Sequence, residues 1–151
     1  MAIPQQKFRE IVFQLIYSAD FIESDDEEMI KLMMEQLSVT KKVVREAIAR
    51  KRLVEEKRPE LDQSIAKVSQ GYDFERITRT ERNILRLALF ELLYDPSIPP
   101  KVVIAESIRL ARKFSSPEGA AFVNAIIDAL YKTQTGRGHE SIHAVSAEHA
   151  S

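Results

Sequence analysis

Three groups of side chains in this chain have types and spacings that could do chemistry. The first is cationic. Arg79, Arg82 and Arg86 recur at helical spacing on one narrow stripe; Lys41, Lys42, Arg45, Arg50, Lys51 and Arg52 crowd one segment; Lys7 and Arg9 stand near the N-terminus. Rows of guanidinium and ammonium groups neutralise phosphates, so they offer electrostatic contact with RNA, against the plainer role of a solvated helix face. The second group is a carboxylate. Glu91 falls between Ile84 and Leu87 on the apolar face of a helical pattern. A carboxylate placed there is satisfied by a helix N-terminus or a hydroxyl, and no nucleophile, base or metal ligand can be named as its catalytic partner. The third is imidazole. His139 and His143 have i, i+4 spacing, but a third ligand is missing, so no metal site follows. The sequence also lacks a glycine-rich phosphate loop, a G-x-S-x-G elbow and an H-E-x-x-H pair. With no cysteine there is no thiolate zinc site, disulfide or cysteine nucleophile. These residues point to a binding protein without a cofactor, not to an enzyme.

The elements that must position them are helices. The 6 prolines fall between periodic segments, two of the 4 glycines (Gly136 and Gly138) lie near the C-terminus, and no period-2 alternation is long enough for a sheet. The pattern predicts an all-α chain organised around the stretch from Thr78 to Tyr94. Thr78 and Glu81 have capping-box spacing, and Ile84, Leu85, Leu87, Ala88, Leu89, Leu92 and Leu93 cover most of the helix circumference. A helix that apolar is the central post of a helical domain.

A first helix is predicted from Pro4 to about Phe21. It has one apolar face of Phe8, Ile11, Val12, Leu15, Ala19 and Ile22, and a second stripe of Phe13, Tyr17 and Phe21. With one face already committed to a core, the aromatic stripe must meet a second sub-domain or a partner protein. An acidic link, Glu23 to Glu28, leads into a short helix to Leu37, its charges favoured by the helix dipole. Thr40 caps a helix from Lys41 to about Lys57, and Pro59 opens another through about Ser69, ended by Gly71. After the Asp95–Pro100 turn come Val102 to Phe114 and a last helix opened by Ser116-Pro117-Glu118. In that last helix Ala121, Ala125 and Ala129 align with Phe122 at their edge, a smooth face suited either to tight internal packing or to a docking partner. The polar, aperiodic stretch after Thr133 reads as a disordered tail over 134–151. About seven helices result, in an N-terminal sub-bundle of about 1–70 and a C-terminal one of about 71–133.

Length and composition agree. At 151 residues, 44% hydrophobic and 30% charged, the chain fits one soluble domain with a real core. No apolar run approaches about 20 residues and the N-terminus has no signal-peptide core, so a cytoplasmic protein without membrane contact is expected. A net charge of −1 does not itself predict nucleic-acid binding.

Taken in order, Arg9-Glu10, Gln14, Tyr17-Ser18, Arg82-x-x-Leu85-Arg86-Leu87-Ala88-Leu89-Phe90-Glu91-Leu92, Ile98-Pro99, Val103 to Ile108, Ala111-x-x-Phe114 and Phe122 to Asp128 resemble the NusB family of bacterial transcription antitermination and termination factors. The resemblance spans the chain up to the tail. It implies two three-helix sub-bundles around the central helix, and binding of boxA-type single-stranded RNA together with the ribosomal protein NusE, within the transcription elongation complex. It further implies RNA contact through Lys7, Arg9, Phe122 and Asn124, and partner contact through Tyr17, Glu81 and, more loosely, Arg76. Some members dimerise, so a homodimer that covers the RNA face is a further expectation. Where the family often has a dense arginine cluster, this chain has only Lys7 and Arg9, which should weaken RNA binding and flatten its salt dependence. That thinning supports an alternative, an interaction module that keeps the ribosomal partner and has little RNA binding of its own. A NusB-like domain also precedes the catalytic domain of some RNA cytosine methyltransferases, but this chain has neither that domain nor a cysteine to attack a base.

Overall fold

Helix ends in this protein are set by short polar side chains and by proline. In a computed structural model, which describes residues 3–21, 25–69 and 74–134, the described residues form six α-helices and one 3-10 turn, with no strand among them. The expected tail with its histidines, Ile22 and the Gly71 stop lie outside the described residues.

The first compact unit runs up to Lys57. Helix α1 (Gln5–Ala19) buries Ile11, Val12, Phe13, Leu15 and Ile16. Helix α2 (Asp26–Leu37) starts at Asp25, whose carboxylate accepts the Glu28 N–H at 2.8 Å, and buries Ile30 and Met33. It ends on Ser38 with φ 54°, a left-handed position that costs a non-glycine residue about 1 kcal/mol. Thr40 then caps helix α3 (Lys41–Val68) as its sequence position predicts, Oγ1 accepting the Val43 N–H at 3.2 Å. Val43, Val44, Ala47 and Ile48 make its first buried stripe.

One expected boundary is not there. The sequence predicts a separate helix opened by Pro59, yet α3 passes through it unbroken, so the described residues form six helices instead of about seven. An interior proline costs about 3 kcal/mol through the lost N–H bond and the clash one turn back. Pro59 is exposed, however, while Val54, Leu61 and Ile65 are almost fully buried on the other side of the same helix. At about 1.5–3 kcal/mol for each buried aliphatic side chain, that burial outweighs the proline. The two compact units divide between Lys57 and Arg58, within α3.

The second unit comprises the last part of α3, the 3-10 turn Phe74–Arg76, α4 (Arg79–Tyr94), α5 (Pro100–Phe114) and α6 (Pro117–Gln134). Helices α4, α5 and α6 pack on one another pairwise. As the sequence predicts, α4 is deeply buried over most of its length: every residue from Asn83 to Glu91 is buried, while Leu93, counted with the apolar face in the sequence, is exposed. Proline stands at the first position of both α5 and α6, where no N–H is needed. Val103, Leu110 and Ala111 of α5, with Val123, Ile126, Ile127 and Leu130 of α6, complete the core.

Candidate nucleic-acid and protein interface

Several cations that stand in rows in the sequence meet carboxylates in the fold, some at the surface and some within it. Along α3, Arg45 reaches Glu27 at 4.0 Å, Arg52 pairs with Asp26, and Lys51 bonds Glu55 at 3.5 Å. The acidic start of α2 thus answers the basic side of α3, leaving Lys41 and Lys42 exposed at its first turn. The arginine stripe of α4 turns inward. Arg86 is only 3% exposed; its Nε and Nη2 donate to the two Asp62 carboxylate oxygens at 2.6 and 2.9 Å, and its Nη1 donates to Asn83 Oδ1 at 2.8 Å. Arg82 lies over the Phe74 ring at 5.3 Å, with Nη1 3.9 Å from Glu75 and a buried Nε that has no hydrogen-bond acceptor among the described residues.

The residues singled out in the sequence fall into two groups. In the first unit Lys7 is exposed on α1, whereas Arg9, two positions on, is 5% exposed and engaged within the fold. The aromatic stripe of α1 grades outward. Phe13 is buried, Tyr17 is half-buried with its ring 6.0 Å from Phe13 and 5.0 Å from Phe21, and Phe21 is 57% exposed. The stripe therefore ends as an exposed aromatic surface.

In the second unit Arg76 closes the 3-10 turn and is exposed. Glu81 makes half of the predicted capping box. Its N–H donates to Thr78 Oγ1 at 3.2 Å, but its carboxylate accepts the Ser115 hydroxyl at 2.8 Å instead of turning back to Thr78. Ser115 closes α5, so Glu81 ties the start of α4 to the α5–α6 turn. Gly119 is packed under this contact: a Cβ there would lie 2.2 Å from Ser115 Oγ and 2.7 Å from Glu81 Oε2. Phe122 is half-buried on α6, and Asn124 is exposed two residues on. The alanine face is only partly used for internal packing, since Ala121 and Ala125 are exposed and Ala129 half-buried. An open groove of about 470 Å³ runs between α5 and α6, lined by Ile108, Arg112, Pro117, Ala120, Ala121 and Asn124. Arg112, which the sequence did not single out, faces Ala120 and Ala121 across this groove.

Residues 6–132 match the family model described as the NusB family. The chain belongs to the NusB family. It is 38% identical over 128 residues to the transcription antitermination protein NusB of Chlamydia pneumoniae, covering 85% of this chain and 80% of that protein. It is 36% identical over 137 residues to that of Geobacter sp. strain M21, covering 85% and 94%. Among solved structures it resembles T. maritima NusB, with a TM-score of 0.75 and 29% identity over 88% of this chain and 94% of that one. It also resembles a chain in a crystal structure of the antitermination factors NusB and NusE in complex with dsRNA, with a TM-score of 0.71 and 26% identity over 85% and 96%. NusB structures thus carry the same all-helical fold, and the family assignment made on sequence motifs holds. Among the described residues, no helix is long and apolar enough to cross a membrane, and no group of three or more His, Asp and Glu side chains could hold a metal ion.

Proposed function

We propose that this protein is a transcription antitermination and termination factor that binds boxA-type single-stranded RNA together with the ribosomal protein NusE. It acts in the cytoplasm as part of the transcription elongation complex, by binding and not by catalysis. The observation that carries this reading is the likeness, along most of both chains, to a NusB crystallised with NusE and dsRNA. In the first unit the outward-graded Phe13, Tyr17, Phe21 stripe supplies the aromatic anchor of the protein contact; in the second, Glu81 and Arg76 are its polar contributors. Exposed Lys7 and Asn124, with Phe122, supply the RNA contacts. Arg9 supports them from within the fold, because a buried guanidinium reaches no phosphate without leaving its place.

A second reading is favoured by that same burial. With Lys7 as the exposed member of the N-terminal basic pair, the protein keeps its ribosomal partner and binds RNA weakly on its own. Fluorescence anisotropy on labelled boxA-type RNA separates the two, run with the protein alone, with NusE, and with Lys7→Ala. The first reading expects partner-dependent binding that prefers boxA over a scrambled strand and falls in the variant. Equal affinity for both strands refutes it.

A further inference from the structure

We infer that the groove between α5 and α6 is a subsite for one nucleotide of RNA, with Arg112 taking the phosphate and Asn124 the edge of the base. The inference rests on the RNA-binding reading above and adds to it a cation and a floor that the family resemblance did not supply. Its first support is electrostatic. Other cations of the second unit are engaged: Arg109 by Glu106 through three contacts of 2.9–3.2 Å, Lys132 by Asp128 at 3.0 Å, Arg86 by Asp62, and Lys113 over the Phe114 ring at 5.6 Å. Among the described residues Arg112 makes no such pair, yet it is exposed at the groove wall. Guanidinium groups bind phosphate in a fixed two-pronged geometry, and an unpaired one gives up no internal bond to do so.

The second support is shape. Ile108, Pro117, Ala120 and Ala121 leave an apolar floor without a bulky side chain, in a groove whose volume of about 470 Å³ lies within the range of small-ligand sites. Unstacked bases of single-stranded RNA need such a surface for one face and hydrogen-bonding groups at their edge. Asn124 brings both a carbonyl acceptor and amide donors to the same groove, and its side chain makes no hydrogen bond within the described residues. Nearby carboxylates do not oppose this placement. Asp128 is held by Lys132, and Glu118, exposed on the first turn of α6, does not line the groove. A protein partner would want a large aromatic or aliphatic anchor here, and the alanine floor gives it little to grip.

The test uses the full chain with NusE and labelled boxA-type RNA, comparing the unaltered protein with Arg112→Ala and with Ala121→Trp. Ala121 is exposed, so the indole fills the groove without entering the core. Each variant should bind RNA about tenfold more weakly, the size of one specific contact. In Arg112→Ala the slope of log affinity against log salt should become shallower by about 0.7, the share of one phosphate on a single strand. Affinity for NusE without RNA, measured by calorimetry, should not change. Unaltered RNA affinity in both variants overturns the subsite while leaving the RNA-binding reading intact. A parallel loss of NusE affinity overturns it by making the groove a protein contact. If the unaltered pair shows no preference for boxA over a scrambled strand, the broader reading fails and the subsite falls with it.

Discussion

Replacing Asp62 by alanine should expose how the second unit manages a buried charge. The Arg86 guanidinium is 3% exposed and depends on Asp62 for two of its three hydrogen bonds; Asn83 supplies the third. Removing one partner of a buried ion pair typically costs about 3–5 kcal/mol, because the remaining charge is left desolvated. Here the lower end applies, since Asp62 is 25% exposed, water can enter where its carboxylate stood, and Asn83 still accepts one N–H. The expectation is a loss of about 3 kcal/mol, or a fall in Tm on the order of 10 °C for a chain of this size. The sharper expectation concerns the second substitution. Arg86→Met made on top of Asp62→Ala removes the stranded charge and keeps an apolar stem, so the double variant should be more stable than Asp62→Ala alone by about 1 kcal/mol. Urea unfolding followed by circular dichroism at 222 nm reads both values, with a constant m-value certifying the comparison. A double variant less stable than the single one would refute the reasoning, because it would mean that Arg86 acts mainly through packing and its bond to Asn83.

Three further outcomes follow from individual contacts. Tyr17→Ala should weaken NusE binding by about 30-fold in calorimetry, the loss of an aromatic anchor, with helicity retained; unchanged affinity would remove α1 from the partner surface. Gly119→Ala should cost about 1–3 kcal/mol, because its Cβ would collide with Ser115 Oγ at 2.2 Å, and adding Ser115→Ala should restore part of that in the same denaturation assay. Pro59→Ala should raise stability by about 1–2 kcal/mol, the regained helix bond less the added freedom of the unfolded chain, read as a higher urea midpoint.

The all-helical architecture was legible because its signals are local. Thr40, Thr78 and Ser116 cap helices where their spacing to the next apolar run says they should, and the apolar run of α4 has nowhere to go but inward. Pro59 misled because helix breaking is a local penalty, whereas the burial of Val54, Leu61 and Ile65 that overrides it is a property of the packed chain. Glu81 shows the same limit at the site. Its spacing from Thr78 gave the capping box, but its carboxylate goes to Ser115, 34 residues away, a competition invisible to any local pattern.

Charge was the least legible quantity, and it bears most on function. A helical wheel cannot tell whether a row of arginines faces water or a carboxylate on another helix, because the carboxylate is remote in sequence. Asp62 lies 24 residues before Arg86, and Asp26 lies 26 before Arg52. Once these pairs are taken out, the α4 stripe has its inner member locked, and on α3 Lys41, Lys42 and Lys67 stay exposed outside the pairing with α2 and Glu55. Buried Arg86 would give up its carboxylate bonds for any phosphate it gained, whereas the exposed pairs of α3 hold their cations by only about 0–1 kcal/mol. The cations that bind at no such cost are those without a carboxylate, which turns attention from the dense basic segments to sparse positions such as Lys7 and Arg112. A protein with a net charge of −1 and a thin N-terminal basic motif is then suited to RNA contact through a few placed groups. Its affinity should depend weakly on salt and strongly on a second protein, as expected when the partner supplies the remaining charge.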